Sequence, residues 1–259
     1  MAHVTPSVDA AAVAAKLAAV RARITGAGGS GVVRVVAVTK GFGGDAVDAA
    51  LAAGLHDIGE SYAPELAAKA LAAGSPGSAG AAGSPGSAGN AGPPGSAGAA
   101  VRWHFIGRLQ SNKVRRLSGV VHLWQSVDRT SVIAELARHA PHAGVLVQVN
   151  VSGEAHKGGC DPADTPALVA EAVVAGLDVR GLMCVAVPGG NEAARPGFRL
   201  LRSLADDLGL EERSMGMSGD LEAAVEEGST MVRVGTALFG PRQITAAGGP
   251  RGGATGLRH

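Results

Sequence analysis

The sequence predicts a single-domain (β/α)8 barrel, and three observations lead to that fold class. Short apolar, β-branched segments alternate with longer helix-forming segments along almost the whole chain. The alternation gives eight strands, the number that closes a parallel barrel of this kind. A low-complexity block occupies residues 74–100, and removing its 27 residues from the 259 leaves 232, close to the usual size of such a barrel.

The first elements of the chain set this pattern. Ser7 to Ile24 is rich in Ala, with apolar residues at helical spacing, and predicts a helix. Val32 to Val38 is β-branched and nearly all apolar, as expected for a strand buried on both faces. A second helix is predicted over Asp45 to Ala53, with Gly54 ending it.

The remaining elements continue the alternation. Strands are predicted over Leu55–Gly59, Val101–Ile106, Val120–Gln125, Val145–Val151, Val179–Ala186, Arg213–Met217 and Met231–Val234. Helices are predicted over Ala63–Ala73, Ser111–Leu117, Arg129–His139, Thr165–Ala175, Asn191–Leu208 and Gly219–Glu227. A doubly wound open sheet is the alternative, but no G-x-G-x-x-G pattern follows the first strand, which weakens a dinucleotide-binding fold.

The low-complexity block at 74–100 consists of three nine-residue repeats with Gly at every third position. This periodicity is typical of collagen, so a triple-helical segment is one interpretation. The other is a flexible, solvated insertion, because the block has no charged, aromatic or large aliphatic side chain. It falls between a helix and the next strand, away from the catalytic rim, so we expect it to be functionally quiet. We expect the barrel to span residues 1–240 and a disordered tail to follow at 241–259.

Composition argues against several classes of protein. Lys and Arg total 23 and Asp and Glu total 22, a balance that disfavours electrostatic binding to nucleic acid or to a membrane surface. The chain has no apolar run long enough for a transmembrane helix and no signal-peptide pattern at its start. Cys160 and Cys184 form neither a disulfide framework nor a metal-binding pattern, so we expect no metal and a cytoplasmic location.

Lys40 directly follows the first buried strand, at the end that a barrel places on its catalytic rim. An amine at an apolar strand end is suited to form a Schiff base with an aldehyde. The alternative is a lysine that simply extends from the strand end into water.

Two segments near the end of the chain place small residues between a strand and a helix. They are Ser214–Asp220 (SMGMSGD) and Val232–Gly240 (VRVGTALFG). Loops after the seventh and eighth strands are a recurrent phosphate site in barrels, because N–H groups and hydroxyls gather there. The candidates are Ser218, Gly235 and Thr236, with helix capping as the alternative role of the two hydroxyls.

Arg233 lies inside the last strand, which neighbours the first strand in a closed barrel and therefore brings this arginine toward Lys40. A lysine, a phosphate-binding loop and an inward arginine together fit a phosphorylated aldehyde. Pyridoxal 5′-phosphate is such a compound, with its aldehyde on Lys40.

Six segments also carry a family resemblance. They are VAVTKGF (36–42), IGESY (58–62), WHFIGRLQSNK (103–113), VNVSGEAHKGG (149–159), GLMCVA (181–186) and the long segment SMGMSGDLEAAVEEGSTMVRVGTALFG (214–240). With these segments the chain resembles the pyridoxal phosphate homeostasis family, the YggS-like or PROSC-like proteins. The third and the last segments are the most specific.

The resemblance implies a fold and a set of residue roles. The family is a fold-type III barrel related to the N-terminal domain of alanine racemase. It implies that Lys40 binds the cofactor, that Ser218, Gly235 and Thr236 hold the phosphate, and that Arg233 faces the pyridine nitrogen. Because Arg stays charged, it leaves that nitrogen largely unprotonated, which suits a carrier or a racemase better than a transaminase.

Two further cofactor-binding candidates are Ser61 and His104. Ser61 stands where the family has Asn in a G-E-N-Y segment, so its side chain is shorter than the one it replaces. His104 follows Trp103 in the third predicted strand and either lines the cavity or is a hydrogen-bonded core residue.

Other polar residues keep two interpretations each. The run Gln110–Asn112 either reaches the site or caps a helix. Lys157 is either a second phosphate contact or a solvated loop charge. Tyr62 is the only tyrosine of the chain and is expected near the rim.

The function predicted from these residues and this resemblance is a monomeric pyridoxal phosphate carrier. It binds the cofactor as a Schiff base, limits free aldehyde and supplies pyridoxal phosphate-dependent enzymes, without substantial catalysis. An amino-acid racemase is the alternative, disfavoured because only 19 residues follow Gly240, too few for a second domain with an opposing base. A structural, collagen-like protein is a third possibility that rests on residues 74–100 alone.

Overall fold

A computed structural model of the chain describes residues 8–29, 33–74, 101–154 and 157–241. The strands are β1 (Arg34–Val38), β2 (Asp57–Glu60), β3 (Arg102–Phe105), β4 (Val121–Val127), β5 (Gly144–Val149), β6 (Asp178–Cys184), β7 (Glu212–Ser214) and β8 (Met231–Val234). The helices are α1 (Ala10–Gly26), α2 (Gly44–Ala52), α3 (Ala63–Ala72), α4 (Val114–Leu117), α5 (Thr130–His139), α6 (Thr165–Val174), α7 (Asn191–Asp207), α8 (Leu221–Glu226) and α9 (Thr236–Phe239).

The strands form a closed parallel barrel in chain order. Each strand pairs in parallel with the next, and β8 returns to pair with β1. A helical segment separates each strand from the next, so the carboxyl ends of all eight strands lie on one rim. The predicted (β/α)8 barrel is confirmed, and the open-sheet alternative is wrong.

Two predicted elements differ from the structure. The helix expected over 111–117 is a 3-10 turn, Ser111–Lys113, followed by the single turn α4. The strand expected over 213–217 ends at Ser214. The regular strand stops there because Gly216 adopts a positive φ of 95°, a conformation that β-strands do not contain. Met215 and Gly216 nevertheless keep backbone hydrogen bonds to Met231 and Arg233 of β8.

The apolar core has two layers, as the strands' alternation requires. Inside the barrel, one side chain from each of five strands forms a small cluster of Val36, Leu123, Leu146, Met183 and Met231. The outward-facing residues of the strands pack against the surrounding helices in a much larger cluster. Because both faces of the strands are buried, the near-continuous apolar sequence of β1 is explained.

Helix α1 precedes the barrel and packs against α2, α8 and α9. Asp9 caps it by accepting hydrogen bonds from the N–H groups of Ala11 and Ala12. Its buried residues, Val13, Leu17, Val20 and Ile24, recur at intervals of three or four and form one apolar stripe.

The elements that flank the repeat block end and begin at the rim opposite Lys40. Helix α3 ends at Ala72 and β3 begins at Arg102, so the block connects a helix to the amino end of a strand. Apart from Gly74, the block lies outside the described residues, as does the predicted tail beyond Pro241. Within the described ranges, no helix is long and apolar enough to cross a membrane.

Candidate functional site

A cavity of about 300 Å³ opens at the carboxyl rim of the barrel. Its polar lining comes from Lys40, Ser218, Arg233 and Thr236, together with the backbone of Gly219 and Gly235. Its apolar lining comes from Val38, Phe42, Ile106, Val185 and Met217. The structure therefore brings together five of the seven predicted cofactor-binding residues: Lys40, Ser218, Arg233, Gly235 and Thr236.

The pairing of β1 with β8 places the two cationic residues of the cavity on neighbouring strands. Val36 is opposite Arg233, and Ala37 is opposite Val234. Lys40 follows β1 on the same rim and is partly exposed within the cavity. The expected approach of Arg233 toward Lys40 thus follows from barrel closure.

Arg233 is buried and is held by oxygens of two neighbouring strands. Its Nη1 donates to the carbonyl and the hydroxyl of Ser214, each at 2.8 Å, and its Nη2 donates to the Cys184 carbonyl at 2.7 Å. Burial lowers the pKa of Arg233 from its ordinary value, but an arginine stays protonated at neutral pH. All three acceptors are neutral, so none of these hydrogen bonds pairs the guanidinium with a carboxylate.

The loop that carries Ser218 is fixed from three sides. The Arg23 side chain of α1 donates to the Ser218 carbonyl at 3.1 Å and pairs with Glu222 through two hydrogen bonds. The Asp220 carboxylate accepts from the N–H of Met217. The Ser218 hydroxyl itself accepts from the N–H of Ala237 at 3.2 Å, so it caps α9 as well as lining the cavity.

Gly235 lies where two backbones approach closely. A Cβ added at this residue would lie 3.1 Å from the carbonyl oxygen of Val38. A Cβ at Gly219, by contrast, would meet no atom within 4 Å. The small residues of this rim therefore keep one close contact between β8 and β1 and leave open space beside the Ser218 loop.

The cavity's side chains suit an anion that carries an aldehyde. Among the described residues that line it, none is a carboxylate, while Lys40 and Arg233 contribute an amine and a guanidinium. Ser218 and Thr236 add hydroxyls that can donate to phosphate oxygens. The arrangement fits pyridoxal phosphate in charge and in functional groups. No group of His, Cys, Asp or Glu side chains in the described chain could hold a metal ion.

Comparison with known proteins identifies the family. The family model for the alanine racemase N-terminal domain matches residues 8–243. A pyridoxal phosphate homeostasis protein of Pseudomonas aeruginosa is 43% identical over 224 residues, covering 83% of this chain and 86% of that protein. The chain belongs to the pyridoxal phosphate homeostasis family, within the alanine racemase N-terminal domain family.

Other members and structures agree with this assignment. The human homeostasis protein is 33% identical over 232 residues, which cover 82% of this chain and 78% of that one. PipY of Synechococcus elongatus, solved with pyridoxal phosphate bound, has a TM-score of 0.72 and 29% identity, covering 88% of this chain and all of PipY. Alanine racemase of Corynebacterium glutamicum shares the fold alone, with a TM-score of 0.60, 16% identity, and coverage of 94% of this chain and 64% of that one.

Ser61 and His104 are not among the residues that line the cavity. Ser61 follows β2 and is pressed against the neighbouring loop, since a Cβ at Gly107 would lie 2.0 Å from the Ser61 carbonyl oxygen. His104 is fully buried inside the barrel, where Nε2 lies 2.9 Å from Asp57 Oδ1 and Nδ1 lies 2.7 Å from Gln125 Nε2. In this homeostasis-family chain, His104 thus has the hydrogen-bonded core environment that was its second interpretation.

The other polar candidates lie apart from the cavity lining. Lys157 Nζ is 2.6 Å from Glu154 Oε1, so its charge is paired within its own loop. Tyr62 is 59% exposed and precedes α3. Cys160 and Cys184 are free thiols, and burial raises the pKa of Cys184 to about 12.

Sequence reasoning missed a buried ionic cluster around Thr39, the residue that precedes Lys40. Lys69 of α3 donates to the Thr39 carbonyl at 2.8 Å, to Glu60 Oε1 at 2.6 Å and to Glu65 Oε1 at 2.7 Å. The Thr39 hydroxyl also donates to Glu60 Oε1 at 2.6 Å. The available signal was Glu60, a charged residue directly after the predicted strand Leu55–Gly59.

Proposed function

We propose that this chain binds pyridoxal 5′-phosphate reversibly through Lys40 and acts in pyridoxal phosphate homeostasis as a carrier. The observation that carries the proposal is the composition of the cavity. Lys40, Arg233 and two hydroxyl side chains line it, and none of its described lining residues is a carboxylate. The names of the relatives and the cofactor-bound PipY structure give independent support.

Each lining residue has a role in this proposal. The cofactor supplies an aldehyde, which the Lys40 amine captures as a Schiff base. Ser218, Gly235 and Thr236 hold the phosphate at the loops after β7 and β8, the usual phosphate position of such barrels. Arg233 faces the pyridine nitrogen and, being a permanent cation, keeps that nitrogen unprotonated.

Neither Ser61 nor His104 lines the cavity, so we propose that any effect of these two residues on the cofactor is indirect. Ser61 abuts Gly107, so it supports the rim between β2 and β3. We propose that the described barrel is the whole binding domain and that the protein acts as a cytoplasmic monomer. Its partners are enzymes that receive pyridoxal phosphate.

Weak or absent catalysis follows from the acid–base groups of the cavity. A racemase needs a base on each face of its substrate. Lys40 and Arg233 are the ionisable side chains in the described lining, and an arginine is too strong a base to be deprotonated at neutral pH. Tyr62, the chain's only tyrosine, does not line the cavity.

The decisive experiment is trapping of the cofactor with borohydride. The wild-type protein should absorb in the visible range after incubation with pyridoxal phosphate, and reduction should add a pyridoxyl group to the peptide that contains Lys40. Lys40→Ala should lose both signals, whereas Lys16→Ala, at an exposed position of α1, should keep them. An adduct retained on another lysine of the Lys40→Ala protein would overturn the assignment.

Amino-acid racemase activity is the alternative function, favoured by the shared fold with alanine racemase. Incubating the loaded protein with L-alanine and measuring D-alanine separates the two functions. Robust turnover would identify a racemase and contradict the carrier proposal.

A further inference from the structure

A line of hydrogen bonds runs through the barrel interior from the cavity toward the opposite rim. Arg233 Nη1 donates to Ser214 Oγ at 2.8 Å, and Ser214 Oγ donates to Gln125 Oε1 at 2.7 Å. Gln125 Nε2 is 2.7 Å from His104 Nδ1, and His104 Nε2 is 2.9 Å from Asp57 Oδ1. Arg102, at the start of β3, closes the line by pairing with both oxygens of Asp57.

Every proton in this line has a determined place. The amide nitrogen of Gln125 can only donate, so His104 Nδ1 accepts and is unprotonated. The other ring nitrogen then carries the proton and donates it to the Asp57 carboxylate. Burial lowers the pKa of His104, which agrees with a neutral ring.

The donors therefore all point the same way, from Arg233 to Asp57. Asp57 fixes the tautomer of His104, and that tautomer fixes which end of the Gln125 amide faces Ser214. The Gln125 oxygen then accepts a hydrogen bond from the Ser214 hydroxyl, so a lone pair of that hydroxyl is left to accept from Arg233. Ser214, Gln125 and His104 are each buried completely, so water does not compete for these bonds.

We propose that Ser214, Gln125 and His104 are positioning residues that hold the Arg233 guanidinium in the cavity and so set how long bound pyridoxal phosphate is retained. This inference rests on the proposed function and deepens it. The three residues do not line the cavity, so they act on the cofactor through Arg233 alone.

The test compares two variants of the line with a matched control. Ser214→Ala removes the hydroxyl, and Gln125→Met keeps the side-chain size while removing the amide's hydrogen bonds with Ser214, His104 and the Met231 sulfur. Ser126→Ala is the control, because Ser126 is equally buried on β4 and its hydroxyl has no hydrogen-bond partner among the described residues. Each protein is loaded with pyridoxal phosphate, and the dissociation rate, the absorption spectrum of the bound cofactor and the melting temperature are measured.

We expect Ser214→Ala and Gln125→Met to release the cofactor about tenfold faster than Ser126→Ala. Ser214→Ala removes a hydrogen bond from the charged Arg233, and Gln125→Met leaves the hydroxyl that accepts this bond without its own acceptor. Their bound spectra should shift, because Arg233 no longer holds its place at the ring, while borohydride still traps the cofactor on Lys40. Rates and spectra equal to those of Ser126→Ala would overturn the inference, even if the melting temperature falls. Failure to trap any cofactor on Lys40 of the wild-type protein would instead overturn the proposed function itself.

Discussion

The Lys69 ammonium donates a 2.8 Å hydrogen bond to the carbonyl of Thr39, the residue immediately before Lys40. A buried lysine of α3 thus fixes the backbone from which the proposed cofactor-binding lysine extends. The same ammonium pairs with Glu60 at the end of β2, so β1, β2 and α3 meet at one ionic cluster. The cluster lies outside the cavity lining, and Lys40 is the lysine among the described residues that line the cavity.

Lys69→Met tests this cluster. The substitution leaves the fully buried Glu60 carboxylate without its cation, and breaking a buried pair in this way costs about 3–5 kcal/mol of unfolding free energy. Urea denaturation measures that loss. Lys16→Met, which changes an exposed lysine of α1, should stay within about 0.5 kcal/mol of the wild type.

The double variant Glu60→Gln/Lys69→Met identifies the cause. Removing both charges should recover part of the lost stability, because no buried charge is then left unpaired. If Lys69→Met is as stable as Lys16→Met, the Glu60 carboxyl is neutral in the folded protein and the ionic cluster is not a stabilising element. Burial does raise the pKa of Glu60, against the opposing hydrogen bonds from Lys69 and Thr39.

Gly216 provides a second test, on the loop that carries Ser218. Its φ of 95° is unfavourable for any side chain, and an added Cβ would lie 2.4 Å from the Cβ of Ala224. Gly216→Ala should therefore cost about 2–4 kcal/mol of stability and displace the Ser218 loop. Gly219→Ala is the control, since its Cβ would meet no atom within 4 Å. Equal urea midpoints for the two variants would contradict the role of Gly216.

The repeat block should be dispensable for cofactor binding. It joins α3 to β3 at the amino rim of the barrel, whereas Lys40 and the cavity lie at the carboxyl rim. Residues 75–100 can be replaced with a short, flexible Gly-Ser linker that joins Gly74 to Val101. This replacement should leave the amount of trapped pyridoxal phosphate unchanged. Borohydride trapping of the shortened protein measures this directly, and loss of trapping would show that the block contributes to the site.

The barrel and most of the proposed site could be predicted because they depend on local patterns. β-branched apolar runs identified the strands, and closure of the barrel then placed Arg233 near Lys40 without further information. Strand and helix ends were less accurate, as at β7, because the turn at Gly216 depends on its contact with α8 rather than on its neighbours in sequence.

The polar interior could not be predicted in the same way. Ser214 and Gln125 are 89 positions apart on strands that do not pair, and only closure of the barrel brings their side chains into hydrogen-bond distance. Lys69 lies within a predicted helix, and no sequence pattern marks it as buried, although its ammonium is buried against Glu60. Such pairings depend on the three-dimensional arrangement of several strands, which no spacing within one segment reveals.

Titration of His104 and Asp57 inside the barrel should lower the free energy of unfolding in acid. Burial lowers the pKa of His104, and its hydrogen bond to Asp57 opposes this only in part. Below pH ~6.5, the unfolded chain binds a proton at this histidine that the folded chain does not bind, so stability falls as the pH falls. Although burial pushes the pKa of Asp57 upward, hydrogen bonds from Arg102 and His104 outweigh it and hold this pKa well below its usual range. Asp57 therefore adds a second loss of stability below pH ~3.9.

His104→Gln separates these contributions. The amide cannot titrate, so the fall in unfolding free energy between about pH 7 and pH 5 should become shallower than in the wild type. It should not vanish, because burial also lowers the pKa of His122, whose ring centroid is 6.0 Å from that of His104. Urea titrations at a series of pH values give these slopes. An unchanged slope in His104→Gln would mean that His104 binds protons equally in the folded and unfolded chains, and a steeper slope would mean that His104 is protonated in the folded barrel. That result would also remove the single direction of hydrogen bonds from Arg233 to Asp57, since a charged ring would force Gln125 to turn its oxygen away from Ser214.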